Sequence, residues 1–141
     1  MKVNYFYINN FLFVHIIKAD DRCIAHHGGH LVSIHSEATN AQVLSVAGNA
    51  LGSANWFWIG LQRNTAGGYR WFDGSAANYL KWGPTWGPNE EMEEDATCTD
   101  MGYQGLWGAE KCTVKNYYIC EKSVEFENCV AVPKAEREPC G

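Results

Sequence analysis

Apolar side chains fill both faces of the segment Trp56-Phe57-Trp58-Ile59-Gly60-Leu61. Alternation along a strand puts Trp56, Trp58 and Gly60 on one side and Phe57, Ile59 and Leu61 on the other. A strand apolar on both sides is buried on both sides. Around it the periodicity changes. Val43, Leu44, Ala47 and Leu51 recur at helical spacing, with Ser36 as N-cap and Glu37 at the positive helix end. Upstream, Phe13, Ile16, Ile17 and Asp20 to Cys23 predict another helix, with Ile16, Ala19 and Cys23 on one face, ending at Gly28-Gly29. Tyr5-Phe6-Tyr7-Ile8 predicts a first strand, Asn9-Asn10 a turn, and His30 to Ile34 a short strand.

Downstream, Gly67-Gly68 and Asp73-Gly74 are turn signals bracketing Tyr69-Arg70-Trp71-Phe72. Between Asn78 and Asp95 the pattern disappears, because Gly83, Pro84, Gly87 and Pro88 interrupt any regular element. Loops of this length in compact domains are usually functional or disordered, and Trp82 and Trp86 within it argue for order. Regular structure resumes at Thr97-Cys98-Thr99, with further strands at Gly105-Leu106-Trp107 and Asn116 to Glu121. The chain after Lys122 is a polar, charged tail.

Composition narrows the picture. At 141 residues the chain is one domain with a real core. A net charge of -5 without a basic stripe argues against nucleic acid as partner. No stretch supplies the apolar run of a transmembrane helix. Cys23, Cys98, Cys112, Cys120, Cys129 and Cys140 lack any Cys-x-x-Cys spacing, which favours a disulfide framework in an oxidising compartment and leaves its connectivity open. Cys129 and Cys140 in the tail most simply pair with each other. Lys2 with Phe11 to Ile17 resembles a short secretory leader cut after Ala19, but Asn9, Asn10 and His15 interrupt it. Cleavage there would remove the first strand and most of the first helix, so a chain starting within a longer precursor is preferred.

Several features in order resemble the C-type lectin-like domain family. They are Ile16-x-x-Ala19-x-x-x-Cys23, Gly28 to Ile34, Trp58-Ile59-Gly60-Leu61, Trp71-Phe72-Asp73-Gly74-Ser75, Trp82, and Cys98, Cys112 and Cys120 with Trp107 between the first two. A Trp is usual in the family where Ile16 stands. The resemblance covers about Tyr5 to Lys122, so the expected organisation is a domain over residues 5–122 and a cysteine-containing tail over 123–141. It implies an α+β fold, with two helices flanking a small, mostly antiparallel sheet and a long loop region, stapled by Cys23–Cys120 and Cys98–Cys112. It also implies a non-catalytic, secreted or extracellular binding module whose partner is carbohydrate, with protein or other ligand recognition as the alternative.

Sugar-binding relatives hold Ca²⁺ through a Glu-Pro-Asn or Gln-Pro-Asp motif, a nearby acid, and an Asn-Asp pair after the Trp. Here the motif is Gly87-Pro88-Asn89, and Gly108-Ala109 follow Trp107. Three expected ligands are missing, and Ca²⁺ requires about 6–8 oxygens. Asn89, Glu94 and Asp95 remain as a shifted metal site, and five acids among Glu90 to Asp95 would welcome a cation. The competing reading is a solvated acidic loop, so the expectation is weak or no Ca²⁺ binding and no other cofactor. The resemblance also implies a cis bond before Pro88. The candidate ligand residues are Trp86, Pro88, Asn89 and Glu90, with Trp86 read mainly as packing beneath the loop. A zinc cluster of Cys23, His26, His27, His30 and His35 is disfavoured, because Cys23 is claimed by a disulfide and His30 and His35 diverge. Nothing resembles a nucleophile elbow or an opposed acid/base pair, which argues against an enzyme.

Overall fold

The computed structural model describes residues 2–51, 55–88 and 94–125. Strand β1 (Lys2–Val14) leads into helix α1 (Ile16–His27), short strand β2 (His30–Leu31) and helix α2 (Glu37–Leu51). Strands β3 (Phe57–Arg63) and β4 (Tyr69–Trp71) follow, then β5 (Cys98–Met101), a 3-10 turn at Tyr103–Gly105, β6 (Trp107–Glu110) and β7 (Asn116–Glu125). The sheet runs β1-β7-β3-β5-β6, with β2 added to β7 and β4 to β3. Among the described strands β3 and β7 pair in parallel and the other strand pairs are antiparallel; a parallel bridge also joins Trp82 to Trp107. The α+β expectation therefore holds.

The central strand behaves as its alternation requires. Phe57 through Leu61 are buried. Phe57, Ile59 and Leu61 pack with Val32, Ile34, Val43, Trp71 and Trp107, while Trp58 joins Ile16, Ala19, Cys23 and Cys120 on the other side. The indole of Trp58 donates to Val14 O at 2.9 Å, tying this second cluster to the end of β1. Gly60 is required by a close approach, since a Cβ there would lie 3.0 Å from Leu31 O.

Local signals set both helices. Ser36 Oγ accepts from Thr39 N at 3.1 Å, capping α2. Gly28 closes α1 with φ 68°, a left-handed conformation that glycine adopts without a side-chain clash. The disulfides Cys23–Cys120 and Cys98–Cys112 are formed. The first joins α1 to β7; the second joins the start of β5 to the segment before β7. Cys129 and Cys140, with the rest of residues 126–141, lie outside the described residues.

Four local expectations are corrected. Asn9-Asn10 is not a turn, because β1 continues through it to Val14. Pairing with β7 overrides the local turn preference, and the irregularity appears instead as a register shift between Asn9 and Val14. Phe13 therefore belongs to β1, and α1 begins at Ile16. The strand at His30 stops at Leu31: Ser33 N donates to the Glu121 carboxylate at 3.2 Å rather than to a neighbouring strand. Gly105 and Leu106 precede β6, with Gly105 in the turn at φ 75°.

Candidate functional site

The long loop is fastened to β6 along its main chain. Trp107 N donates to Lys81 O at 2.9 Å, Gly83 N to Trp107 O at 2.8 Å, and Ala109 N to Trp86 O at 2.8 Å. These bonds bring the Gly87-Pro88 stretch beside Gly108-Ala109, so the two halves of the motif read from the sequence do meet. The Trp107 ring anchors the assembly. It is fully buried, its Nε1 donates to Asn40 Oδ1 at 2.9 Å, and Asn40 Nδ2 donates to Gly105 O at 3.0 Å. Trp71, Tyr79 and Trp82 contact it with tilted or perpendicular rings.

Aromatic rings fill the space around the motif positions. The Trp56 and Trp86 rings meet edge to face with centroids 5.2 Å apart. A Cβ at Gly87 would approach Trp82 Cβ to 2.8 Å, and one at Gly108 would lie 3.1 Å from Asp100 Oδ1 and 3.4 Å from Trp56. A Cβ at Gly102 would stand 2.5 Å from the Trp56 ring, and one at Gly83 would stand 2.2 Å from the Trp86 ring. Glycine at 83, 87 and 102 makes room for tryptophan side chains, and at 108 chiefly for the Asp100 carboxylate. Trp86 meets Trp56 edge to face yet keeps 36% of its surface exposed, and Leu80 keeps 46%.

Beneath this layer is a buried acid. Asp100 is only 5% exposed, accepts from Asn116 Nδ2 at 3.1 Å, and lies opposite Gly108 in the β5–β6 register. Burial, and secondarily the nearby Glu110 charge, push its pKa up to about 7; the Asn116 hydrogen bond opposes the rise.

A second polar cluster links β7 to the start of the long loop. Ser33 Oγ donates to Asp73 Oδ2 at 2.6 Å and lies 3.1 Å from Glu121 Oε1. Ser75 Oγ donates to Asp73 and lies 3.1 Å from His35 Nε2, and His35 Nδ1 is 2.8 Å from Asn78 Oδ1. Burial raises the Glu121 pKa against the opposing Ser33 hydrogen bonds. At Asp73 burial acts in the same direction, but hydrogen bonds from Ser33 and Ser75 outweigh it and hold the pKa low.

The remaining candidates divide clearly. Pro88 is half-buried beside the motif, and its bond to Gly87 is trans, since no cis peptide occurs among the described residues. This corrects the expected cis bond: trans is favoured by about 0.5–1 kcal/mol before proline, and Gly87 places no side chain against it. Glu94 and Asp95 lie exposed in a turn, with Glu94 O accepting from Arg63 Nη2 at 3.1 Å. Asn89 and Glu90 fall outside the described residues. Among the described residues no group of three or more His, Cys, Asp or Glu could hold a metal ion. His30 Nδ1 faces Asp20 Oδ2 at 3.1 Å, His35 faces Ser75 and Asn78, and His26 and His27 close α1.

Sequence reasoning missed Trp56, Asp100 and Asn40 as parts of this region. The signal for Asn40 was present: it stands at i with Val43 and Ala47 at i+3 and i+7, a polar residue on the apolar stripe of α2. Trp56 and Asp100 required the β3–β5–β6 register to find.

Comparison with known proteins places the chain. The Lectin C-type domain family matches residues 15–122. Human "C-type lectin domain family 17, member A" is 36% identical over 94 residues, covering 66% of this chain, which spans only 23% of that relative. A calcium-independent type II antifreeze protein structure aligns with TM-score 0.71 and 28% identity, over 84% of this chain and 85% of that one. The carbohydrate-recognition domain of cow CD23, solved in the presence of a GlcNAc2Man3 oligosaccharide, aligns with TM-score 0.70 and 25% identity, over 89% of this chain and 90% of that one. Domains of this kind are generally non-catalytic binding modules, and no helix among the described residues is long and apolar enough to cross a membrane. On its matched family, its fold and its two disulfides, the chain belongs to the C-type lectin domain family.

Proposed function

We propose that this chain is an extracellular recognition module that binds its ligand without Ca²⁺, through the long-loop face around Trp86 and Pro88. Carbohydrate is the ligand class that family membership suggests. The observation carrying this reading is the tight packing around positions 87 and 108, where relatives place a ligating Glu and Asn: a Cβ at 87 would stand 2.8 Å from Trp82 Cβ, and one at 108 would stand 3.1 Å from Asp100 Oδ1 and in contact with Trp56. The likeness to a calcium-independent antifreeze protein supports the same direction. Exposed Trp86 offers an apolar ring face and an N–H donor, suited to the alternating C–H and O–H surfaces of a sugar.

A protein ligand is the second reading, favoured by the exposure of Leu80 together with Trp86. Aromatic and apolar anchors of this kind are typical of interface cores. Thermal unfolding in Ca²⁺ and in EDTA tests the metal claim. A Ca²⁺ concentration about 100 times the dissociation constant of a real site would add about 2.7 kcal/mol. The expected result is superimposable melts; a Tm rise in Ca²⁺ that EDTA reverses would sink the proposal.

A further inference from the structure

Strand β1 stands at one edge of the sheet, with β7 on its inner side and no strand on its outer side among the described residues. The register fixes where its main-chain groups point. Val32 N donates to Ile119 O at 3.0 Å, so Ile119 turns its polar groups toward β2. Direction alternates along a strand, so Cys120 turns its own toward β1, opposite Tyr7. The β1–β7 pairing runs without a shift from Lys2 to Asn9. Tyr5 and Tyr7 therefore spend N–H and C=O on β7, whereas Asn4, Phe6 and Ile8 aim theirs outward.

An outward row of main-chain donors and acceptors is a template for another strand, and natural edges are guarded by proline, charge or a bulge. Val3 to Ile8 contains no proline and no charged residue. The one register shift of β1 lies beyond Asn9. The edge also complements itself. Laid antiparallel about Phe6, two copies bring Asn4 opposite the second copy's Ile8, Tyr5 opposite its Tyr7, and Phe6 opposite its Phe6. Outward residue meets outward residue at each step, so every open N–H finds an open C=O. Aromatic meets aromatic at the centre, and Tyr5, 43% exposed in the single chain, gains a neighbour in the closer, non-hydrogen-bonded position. Charge permits this register. Lys2 is the one charged residue of β1. The two Lys2 side chains would lie about 27 Å apart at about 3.4 Å per residue, well beyond a Debye length of about 8–10 Å.

We infer that β1 is a dimerisation edge, on which a second copy of this chain adds its own β1 in antiparallel register about Phe6. The pairing is two-fold and consumes both edges, so assembly stops at the dimer. The long loop is fastened to β6, at the far end of the strand order. Pairing through β1 thus leaves both loop faces free. The inference does not rest on the function proposed above; if that function holds, the dimer presents two binding faces.

Sedimentation velocity of the full chain, from about 1 µM to about 1 mM, tests for the weak dimer that so small an interface gives. Mass should double across that range, and added salt should favour the dimer, because each chain carries a net charge of -5. Asn4→Pro removes an N–H that the single chain does not use in its sheet, and Tyr5→Lys adds the charge that guards natural edges. Each should weaken the dimer about tenfold or more. Residue-resolved hydrogen exchange provides a readout that misfolding cannot mimic. The Phe6 and Ile8 amides should gain protection as concentration rises, while those of Tyr5 and Tyr7 are protected throughout. A chain still monomeric at the highest concentration, species larger than a dimer, a dimer whose Phe6 and Ile8 amides stay unprotected, or full dimer affinity in both variants would each overturn the inference.

Discussion

Asp100 makes the region beneath the long loop a source of pH-dependent stability. Its carboxyl is buried against Gly108 and Asn116, with its pKa moved from an ordinary 3.8 to about 7. The folded protein therefore holds this proton more tightly than the unfolded chain does. Below the unfolded value both states are protonated and no penalty exists. As pH rises through the folded value, the native state must ionise a buried acid while the unfolded chain has already done so. Stability is lost between about pH 4 and pH 7, at a slope fixed by the difference in bound protons. A difference of about three pH units at 1.36 kcal/mol each sets the loss at no more than about 4 kcal/mol. Asn at position 100 removes the titration and keeps an oxygen to accept from Asn116. Urea unfolding of D100N and the wild type, at about pH 8 and about pH 4, measures the effect. Glu121 shifts in the same sense, and Asp73 and Glu37 in the opposite one. Subtracting the two proteins isolates Asp100. The variant should be the more stable by about 1–4 kcal/mol at the higher pH, with the advantage gone at the lower. An equal difference at both pH values would refute the assignment of a buried, raised acid to this position.

Other outcomes follow from the fold. Replacing Cys98 and Cys112 with Ala opens a loop of sequence separation 14 and should cost about 3 kcal/mol by denaturant midpoint. Gly29→Ala would place a Cβ 1.8 Å from the Glu121 carbonyl oxygen, a main-chain atom that cannot yield, so a loss above about 4 kcal/mol is expected. Gly48→Ala in α2 meets nothing within 4 Å and should stabilise by about 0.5–1 kcal/mol by the same denaturant midpoint.

Where local and global preferences agree, the sequence carried the structure openly. The β3 segment is apolar on both faces and is buried on both; Ser36 and Gly28 mark helix ends that form where those residues stand. It was hidden where a distant partner decides. Asn9-Asn10 is a turn signal by composition, yet β7 holds the backbone of that stretch extended as part of β1. That Gly87, Gly108 and Ala109 stand where the family resemblance implies Glu, Asn and Asp could be read directly. What replaced them could not: Trp56 arrives over Gly102 and Gly108 only through the β3–β5–β6 register, and Trp82 stands against Gly87 only because the loop is fastened to β6. The glycines looked like deletions of function in the sequence and are sites of aromatic packing in the fold.

Recognition without Ca²⁺ is most directly tested by an array of glycans and candidate protein ligands probed with the labelled domain in Ca²⁺ and again in EDTA. The proposal of Ca²⁺-free recognition, with tight packing around Gly87 and Gly108, predicts the same bound ligands at the same strength in both buffers. Ligands captured in Ca²⁺ and released by EDTA would contradict the account.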